Sequence, residues 1–487
     1  MICPRAHPVK PPDRPAQRAA AAVLLCLALS AAPVGAEDPF RTSGLRPGKA
    51  SSFWQGPGGP DPCPDLAAPP DPLRLLDSID LALCHNPRTR QSWATAKVSA
   101  AEVGVARSSF LPQASATAGA QRIEQRNTLY PYGQTQLYGT LSLSYLLFDF
   151  GGRDAQLEQA RETLLASDWT HNATLQQVML DAVHFHYQLY AAREAVDAAV
   201  ASEKAALTSL EAARARQKAG TGTRADVLQA QTAYSQAQLN RTQAEGTAAS
   251  AQGQLANALG TQIDRDVHIV APPDLEAKQV IEQSVSDLLA VARERRPDLA
   301  AAEAQVRAAQ SNIRVQEATG KPSISLFGNL SATQNDPGVD PRTGAIGLQV
   351  SIPLFTGYRV PYQIQVAREQ LEVQQATRDQ LRNDVALQVW QAYQDLRTQG
   401  QSLATATDLV RSAQESYDAA LARFKAGVGN ITDLLNAQSA LASASVQRIQ
   451  ARYLWNVAKA SLARAIGVLD PTLVARQEAL LGAPPRQ

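Results

Sequence analysis

The sequence predicts a mainly α-helical protein with a small β part, built as two copies of one unit. Three observations carry this prediction. Residues 216–231 read RQKAGTGTRADVLQAQ and residues 423–438 read RFKAGVGNITDLLNAQ; the offset of 207 holds without a gap from Arg216–Gly260 to Arg423–Gly467, with 19 of 45 pairs identical. The stretch Arg153 to Ala219 runs for 67 residues without Gly or Pro. Two pairs of short segments alternate apolar with small or polar residues, the period of a strand.

Composition fits that reading. The 487 residues include 86 alanines and only 5% aromatic residues, which suits long, closely packed helices better than a bulky core. A net charge of +1 gives no reason to expect nucleic acid as a partner. Residues 1–36 read as an export signal: Arg5, Lys10, Arg14 and Arg18 are basic, Ala19 to Ala32 is apolar, and Val34-Gly35-Ala36 offers small residues for cleavage. Cys26 follows Leu24-Leu25 inside the apolar run, so there is no lipidation box. The two remaining cysteines, Cys63 and Cys84, are a disulfide candidate in an oxidising compartment. No later run is long and apolar enough for a transmembrane helix.

Residues 37–72 are rich in Pro, Gly and Ser and predict an extended or poorly ordered leader. The first repeat, 73–260, opens with a short helix ending near His85, capped by Asp71 with Pro72 in its first position, or by Ser78. A helix over 88–110 stops before Pro112. Strands are expected at about 112–121, where Ala114, Ala116, Ala118 and Ala120 share a face, and at about 137–149, where Leu137, Gly139, Leu141, Leu143, Tyr145 and Leu147 share a face. Gln121–Gln134 between them is read as a polar loop.

The long helix 153–219 carries apolar residues at 3.5-residue spacing from Leu175 to Ala213, a coiled-coil seam broken only at Glu203. At about 1.5 Å per residue it is roughly 100 Å long. Gly220 and Gly222 turn the chain into a return helix, 223–260. A connector, 261–285, leads to the second repeat, 286–467. That repeat has short helices at 286–295 and 298–319 and strands at about 322–332 and 345–355. Its long helix, 362–425, is interrupted only by Gly400, and a return helix spans 430–466 before the tail 468–487.

Strands of about ten residues with one apolar face are long enough to cross an outer membrane when tilted. A soluble hairpin packed on a core is the alternative. Four strands cannot close a barrel, and an open edge in lipid leaves backbone groups unsatisfied. Closure therefore requires other copies: two give a filled eight-stranded barrel, three give twelve strands and a lumen. Phe148, Phe150, Phe355 and Tyr358 lie at the strand-to-helix junctions, where an interfacial aromatic girdle belongs.

The double repeat, strand pairs, long helices and tip pattern Lys-Ala-Gly-x-Gly followed by Asp-x-Leu-x-Ala-Gln together resemble the TolC family of outer-membrane export channels. That resemblance implies a homotrimer whose twelve-stranded outer-membrane β-barrel continues into a twelve-helix periplasmic coiled-coil tunnel, with 261–285 and the C-terminal segment in an equatorial belt. It implies tip turns, at Lys218, Ala219, Gly220 and Gly222 and at Lys425, Ala426, Gly427 and Gly429, that meet a periplasmic adaptor protein and an inner-membrane ABC or proton-driven transporter. Asp433 matches a family carboxylate ring at the tunnel entrance, with Asp226 in the same place of the first repeat. Asn436 stands where many members have a second aspartate, and Phe424 and Gly429 stand where members have a linking Tyr and Arg. Asp80-Leu81-Ala82-Leu83-Cys84-His85-Asn86-Pro87-Arg88-Thr89-Arg90, with Cys63 upstream, is similar to members serving type I secretion of haemolysin- or cyclolysin-type toxins. Multidrug efflux is the alternative, and a passive porin or a structural coiled-coil protein are further ones.

The chemistry of an enzyme is absent. His184 and His186, two apart on a helix, face different ways. Gly44 to Lys49 has three residues between its glycines, not the four of a phosphate loop. No catalytic residue, cofactor or metal is expected.

Overall fold

The computed structural model describes residues 38–45, 70–126, 131–261, 267–271, 284–336 and 338–470. The expected signal peptide and nearly all of the C-terminal tail lie outside these residues. Two successions of helix, helix, strand, strand, long helix and return helix make up the chain. The first comprises α1 (Leu75–His85), α2 (Pro87–Ser108), β1 (Gln113–Arg126), β2 (Pro131–Phe148), α3 (Gly152–Lys218) and α4 (Arg224–Leu259). The second comprises α5 (Val285–Arg295), α6 (Pro297–Ala318), β3 (Ser323–Asp336), β4 (Arg342–Ser351), α7 (Arg359–Lys425) and α8 (Ile431–Ala465). The long helices begin at Gly152 and Arg359, 207 residues apart, but α2 and α6 begin at Pro87 and Pro297, 210 apart. The second unit is thus three residues shorter between these points, a difference that falls in its hairpin.

The helices form a long wall. α3 packs against α4 on one side and α8 on the other, and α7 packs against α8. Nearer the strands, α2 and α6 flank α3, and α6 also meets α7. Each short helix stacks on the end of a return helix. Asn86 caps α2 by accepting from the Arg88 amide at 2.9 Å and donates its side-chain amide to the Ala258 carbonyl at 2.9 Å. The equivalent Arg296 is buried, pairs with Asp298 and donates to the Ala465 carbonyl at 3.1 Å. Gly260 and Gly467 make both junctions possible. Their φ angles are +68° and +77°, and a Cβ would sit 2.6 Å from the His85 carbonyl oxygen or 2.8 Å from the Arg295 carbonyl carbon.

Several expectations are corrected. α1 starts at Leu75 with Arg74 in the capping position, its backbone amide and guanidinium both held by Asp77, rather than at Asp71 or Ser78. Ser78 lies inside the helix, and Asp71 pairs instead with His268 at 3.2 Å. The connector touches the first unit here, through a parallel bridge between Leu73 and Ile269. Residues 38–45 do not trail as an unstructured leader: a 3-10 turn, Thr42–Leu45, lies on α2, where the Phe40 carbonyl accepts from Arg107 at 2.9 Å. α7 passes through Gly400 without a break, since one internal glycine costs a long helix only about 1 kcal/mol, and the Trp455 ring packs beside it, 3.7 Å from where a Cβ would be. Glu203, the break in the α3 seam, reaches Arg241 on α4 at 3.1 Å.

The strands form one antiparallel sheet in the order β1-β2-β3-β4. They are longer than the apolar alternation suggests: β1 and β2 carry on through much of the stretch read as a loop. Polar residues occupy both faces there, so the period of two disappears while the backbone ladder continues. Directly opposed residues share a face. The register aligns Leu141 with Leu330, Leu143 with Gly328 and Ile346, and Tyr145 with Leu326 and Leu348. Ala114, Ala116, Ala118 and Ala120 join this row through Leu143, Leu141, Gly139 and Leu137. The result is one apolar surface across four strands, with Leu141, Leu330, Ile346 and Leu348 all exposed. A bulge between Leu146 and Phe148 removes Leu147 from the row and pairs Phe148 with Ile324. The opposite face carries Ser142, Ser144, Asn329 and Ser331.

The core at the level of α1 holds Ile79 and Leu83 against Leu175, Met179, Ala182 and Leu189 of α3. His186 sits in it, 2% exposed, with Nδ1 2.8 Å from the Ser78 hydroxyl. Burial lowers its pKa from 6.5 to about 4, with Asp77 opposing the shift. The folded state therefore disfavours the charged ring. Stability is complete above pH 6.5, falls as the unfolded chain takes up its proton, and levels off below about 4, a loss of about 3 kcal/mol per chain. Thermal unfolding followed from pH 7 to pH 4 should show this acid limb, and His186→Gln should flatten it.

Candidate functional site

At the end of the helical wall remote from the sheet, α3 and α7 turn into α4 and α8 through two matching loops. α3 ends with Ala219 as its cap, and the Thr221 and Gly222 amides both bond back to the Arg216 carbonyl, at 2.9 and 3.1 Å. In the second loop the Val428 and Gly429 amides bond to the Arg423 carbonyl, each at 3.1 Å. Gly220 and Gly427 take φ of +74° and +82°, the left-handed cap conformation. The fit at Gly429 is close: a Cβ would lie 3.0 Å from the Phe424 amide nitrogen. Lys218 and Lys425 are the last residues of their helices, where a cation complements the dipole. Of the eight tip residues singled out in the sequence, these two lysines close their helices and the other six form the turns.

The three candidate entrance residues lie just beyond. Asp226 is the third residue of α4 and closes a reciprocal cap: its amide bonds to the Thr223 hydroxyl at 3.1 Å and its carboxylate accepts from the Thr223 amide at 2.9 Å. Asp433 holds the same place in α8, but its carboxylate accepts from the Asn430 side chain at 2.9 Å and it stays exposed. Asn436 is exposed one turn further along. Both aspartates thus have a capping role, and that of Asp226 is the more complete.

Sequence reasoning missed what joins the two hairpins. Arg216 donates to the carbonyls of Phe424 and Gly429, each at 3.2 Å, and its guanidinium lies 4.6 Å over the Phe424 ring. Phe424 itself is 2% exposed, packed with Leu210, Ala213, Ala230, Tyr417, Ile431 and Leu434. Two turns back, the buried Ser209 hydroxyl donates to Gln438 at 3.1 Å. The signal was available: Arg216 recurs as Arg423, whereas its neighbour Gln217 is replaced by Phe424, an aromatic residue seven after Tyr417 on one face of α7.

The four interface aromatics sit at the other end. Phe148 and Phe150 meet edge to face at 4.7 Å, and Phe355 and Tyr358 at 5.6 Å, all four rings exposed where the strands pass into α3 and α7. Cys84, near the end of α1, is disulfide-bonded. Cys63, its expected partner, lies outside the described residues. His184 and His186 part company as their spacing requires: His184 lies 3.2 Å from the Tyr453 hydroxyl on α8, and His186 faces α1. Among the described residues no group of three or more His, Cys, Asp or Glu is placed to hold a metal, and no helix is long and apolar enough to cross a membrane.

A family model described as outer membrane efflux protein matches residues 78–261 and 288–468. The chain is 32% identical to the protein CyaE of Bordetella pertussis over 392 residues, which is 80% of this chain and 82% of that one. It is 27% identical to the outer membrane efflux protein BepC of Brucella suis over 398 residues, 81% of this chain and 85% of that one. The crystal structure of the Campylobacter jejuni CmeC outer membrane channel superposes with a TM-score of 0.73 at 18% identity, over 84% of this chain and 89% of that one, a likeness of fold.

Proposed function

The chain belongs to the outer membrane efflux protein family, and from that premise we propose that three copies close a twelve-stranded barrel in the outer membrane and a twelve-helix tunnel below it. The protein is an outer-membrane channel of a tripartite export system, with a long periplasmic part. One observation carries the trimer reading: β1 and β4 are the edges of a four-stranded sheet with an exposed apolar face. Neither edge can remain open in lipid, so each requires a strand from another copy. Two copies would fill the interior; three leave a lumen.

The tip turns then meet a periplasmic adaptor, which joins the channel to an inner-membrane transporter, while the aromatic rings at the strand ends sit among outer-membrane lipid headgroups. Type I protein secretion, with an ABC transporter, is the favoured system. It rests on the greater identity to CyaE than to the efflux protein BepC and on the resemblance around Asp80–Arg90. Drug efflux with a proton-driven transporter is the second reading, favoured by the family's own description. Deleting the gene decides between them: loss of a secreted protein from the medium with drug susceptibility unchanged supports secretion, and the reverse supports efflux.

In the trimer, three Asp433 carboxylates ring the tunnel entrance, with the Asp226 set in the corresponding first-repeat positions. Like charges at a constriction favour cations. Asp433→Ala should lower cation selectivity and block by multivalent cations in planar bilayers. Asp226→Ala should change the pore less and cost about 1 kcal/mol of helix capping. Unchanged selectivity and block in Asp433→Ala would leave that carboxylate a capping role alone.

A further inference from the structure

A groove of about 630 Å³ runs along α3 at the level where α2 meets the end of α4 and α6 meets the end of α8. Twelve residues of α2, α3, α6 and α8 line it. Two are arginines, Arg88 and Arg464, eight carry a hydroxyl or a carboxamide, and none is acidic. The positive charge is not balanced. Arg88 pairs with Asp181 at 3.0 Å, and Asp181 also accepts from Gln177 at 2.6 Å. Asp298, the other carboxylate near Arg464, is held by Arg296 at 2.9 Å. Arg464 is half-buried, and among the described residues its guanidinium has no hydrogen bond or ion pair. Burial lowers its pKa and the neighbouring Arg296 lowers it further, against Asp298 and Asp181. A guanidinium taken from water without a partner carries a cost that an anion would remove. Two carboxamides of the same lining, Gln91 and Gln305, are exposed and make no hydrogen bond among the described residues. The hydroxyls of Thr95, Thr170 and Thr174 donate to carbonyls of their own helices. The free donors are therefore Arg464 and the two amides.

The helical frame does not require this chemistry. In the other unit, Arg88, Thr174, Gln177 and Arg464 correspond to Asp298, Leu381, Asp384 and Asn257. The same frame is built there without either arginine and with two carboxylates. The groove also lies on a distinct side of the wall. α1 covers the α3 stripe Leu175, Met179 and Ala182, whereas the groove uses Thr170, Thr174 and Gln177, about 140° round the helix. Leu469 and Ile269 pack on the α1 side, so the chain heads for its C-terminus away from the groove. If the α1 side is the outer belt of the tunnel, the groove opens to its interior. Along α3 it reaches from Ser167 to Val178, about 16 Å, the span of about five extended residues rather than of one ion.

We propose that this groove is an oxyanion-binding site in the tunnel wall, one per chain, in which Arg464 takes a carboxylate of a polypeptide in transit and Gln91 and Gln305 flank it. A guanidinium fork matches the two oxygens of a carboxylate. A free inorganic anion offers the same chemistry over a shorter reach, and competition separates the two.

The interior position rests on the channel reading, and the test tells them apart. Single-channel currents of the full chain are recorded in planar bilayers with hexaglutamate added on the barrel side. Hexaglutamate should block in discrete events, and neutral hexaglutamine should not. Arg464→Gln should weaken the block about tenfold, and Arg464→Lys by less. Thr174→Asp, which supplies a carboxylate to the groove, should weaken it as much as Arg464→Gln. Removing residues 471–487, with Glu478 and the terminal carboxylate, should leave the block unchanged; a stronger block in that variant would give the groove to the chain's own tail and overturn the proposal. Inorganic phosphate that displaces hexaglutamate at equal concentration would overturn a polypeptide as the occupant. A wild-type protein that forms no conducting channel overturns the channel reading. A conducting channel blocked equally in wild type, Arg464→Gln and Thr174→Asp overturns the groove and leaves the channel standing.

Discussion

Ile346→Arg is expected to abolish the stable trimer. Ile346 lies midway along β4, 77% exposed, opposite Gly328 and in the same row as Leu143. That row is the surface that meets lipid in the account given above. A guanidinium near the bilayer midplane costs roughly 2–4 kcal/mol at each site, and the trimer carries the site three times. Gly328 provides no side chain to shield it. Leu143→Arg should behave alike. Ala345→Arg is the matched control: Ala345 pairs with Asn329 and points to the other face of the sheet, so its arginine should be tolerated. The readout is the SDS-resistant oligomer in outer-membrane fractions. Equal loss in Ile346→Arg and Ala345→Arg would mean that the faces are not lipid and lumen.

Phe424→Ala should have the next largest effect, and it should be local. Phe424 is fully enclosed between the two hairpins and holds the Arg216 guanidinium over its ring. Truncating a buried phenylalanine costs about 3–5 kcal/mol where the site cannot collapse. The long helices near the sheet do not touch it, so the loss falls on the tip. Amide exchange should accelerate in 205–235 and 417–441 with little change near α1, and channels in planar bilayers should open wider. Arg216→Lys keeps the charge but not the planar stacked fork, so it should move the same observables in the same direction by less. Slow exchange at the tip in Phe424→Ala would show that the hairpins are joined elsewhere.

Much of this was legible in the sequence because two strong periodicities run through it. A stretch of 67 residues free of Gly and Pro can be little other than one helix, and α3 spans Gly152–Lys218. The tip was legible because glycine at a helix end has a geometric reason, seen in the positive φ of Gly220 and Gly427. What escaped was set by tertiary contact. Gly400 is a poor helix former inside the expected long helix 362–425, and only the structure shows Trp455 packed beside it. The strands outrun the apolar alternation because both faces turn polar towards their ends, where the Gln136 side chain still bonds across to Gln121 and Asn335. The clamp between hairpins escaped because Arg216 and Phe424 are 208 residues apart, and nothing local marks them as neighbours.

The central claim is that one chain is a third of a channel. Native mass spectrometry of protein extracted from outer membranes in detergent tests it most directly. The account predicts a single species of three chains that requires detergent to stay in solution. A monodisperse single chain, soluble without detergent, would contradict it.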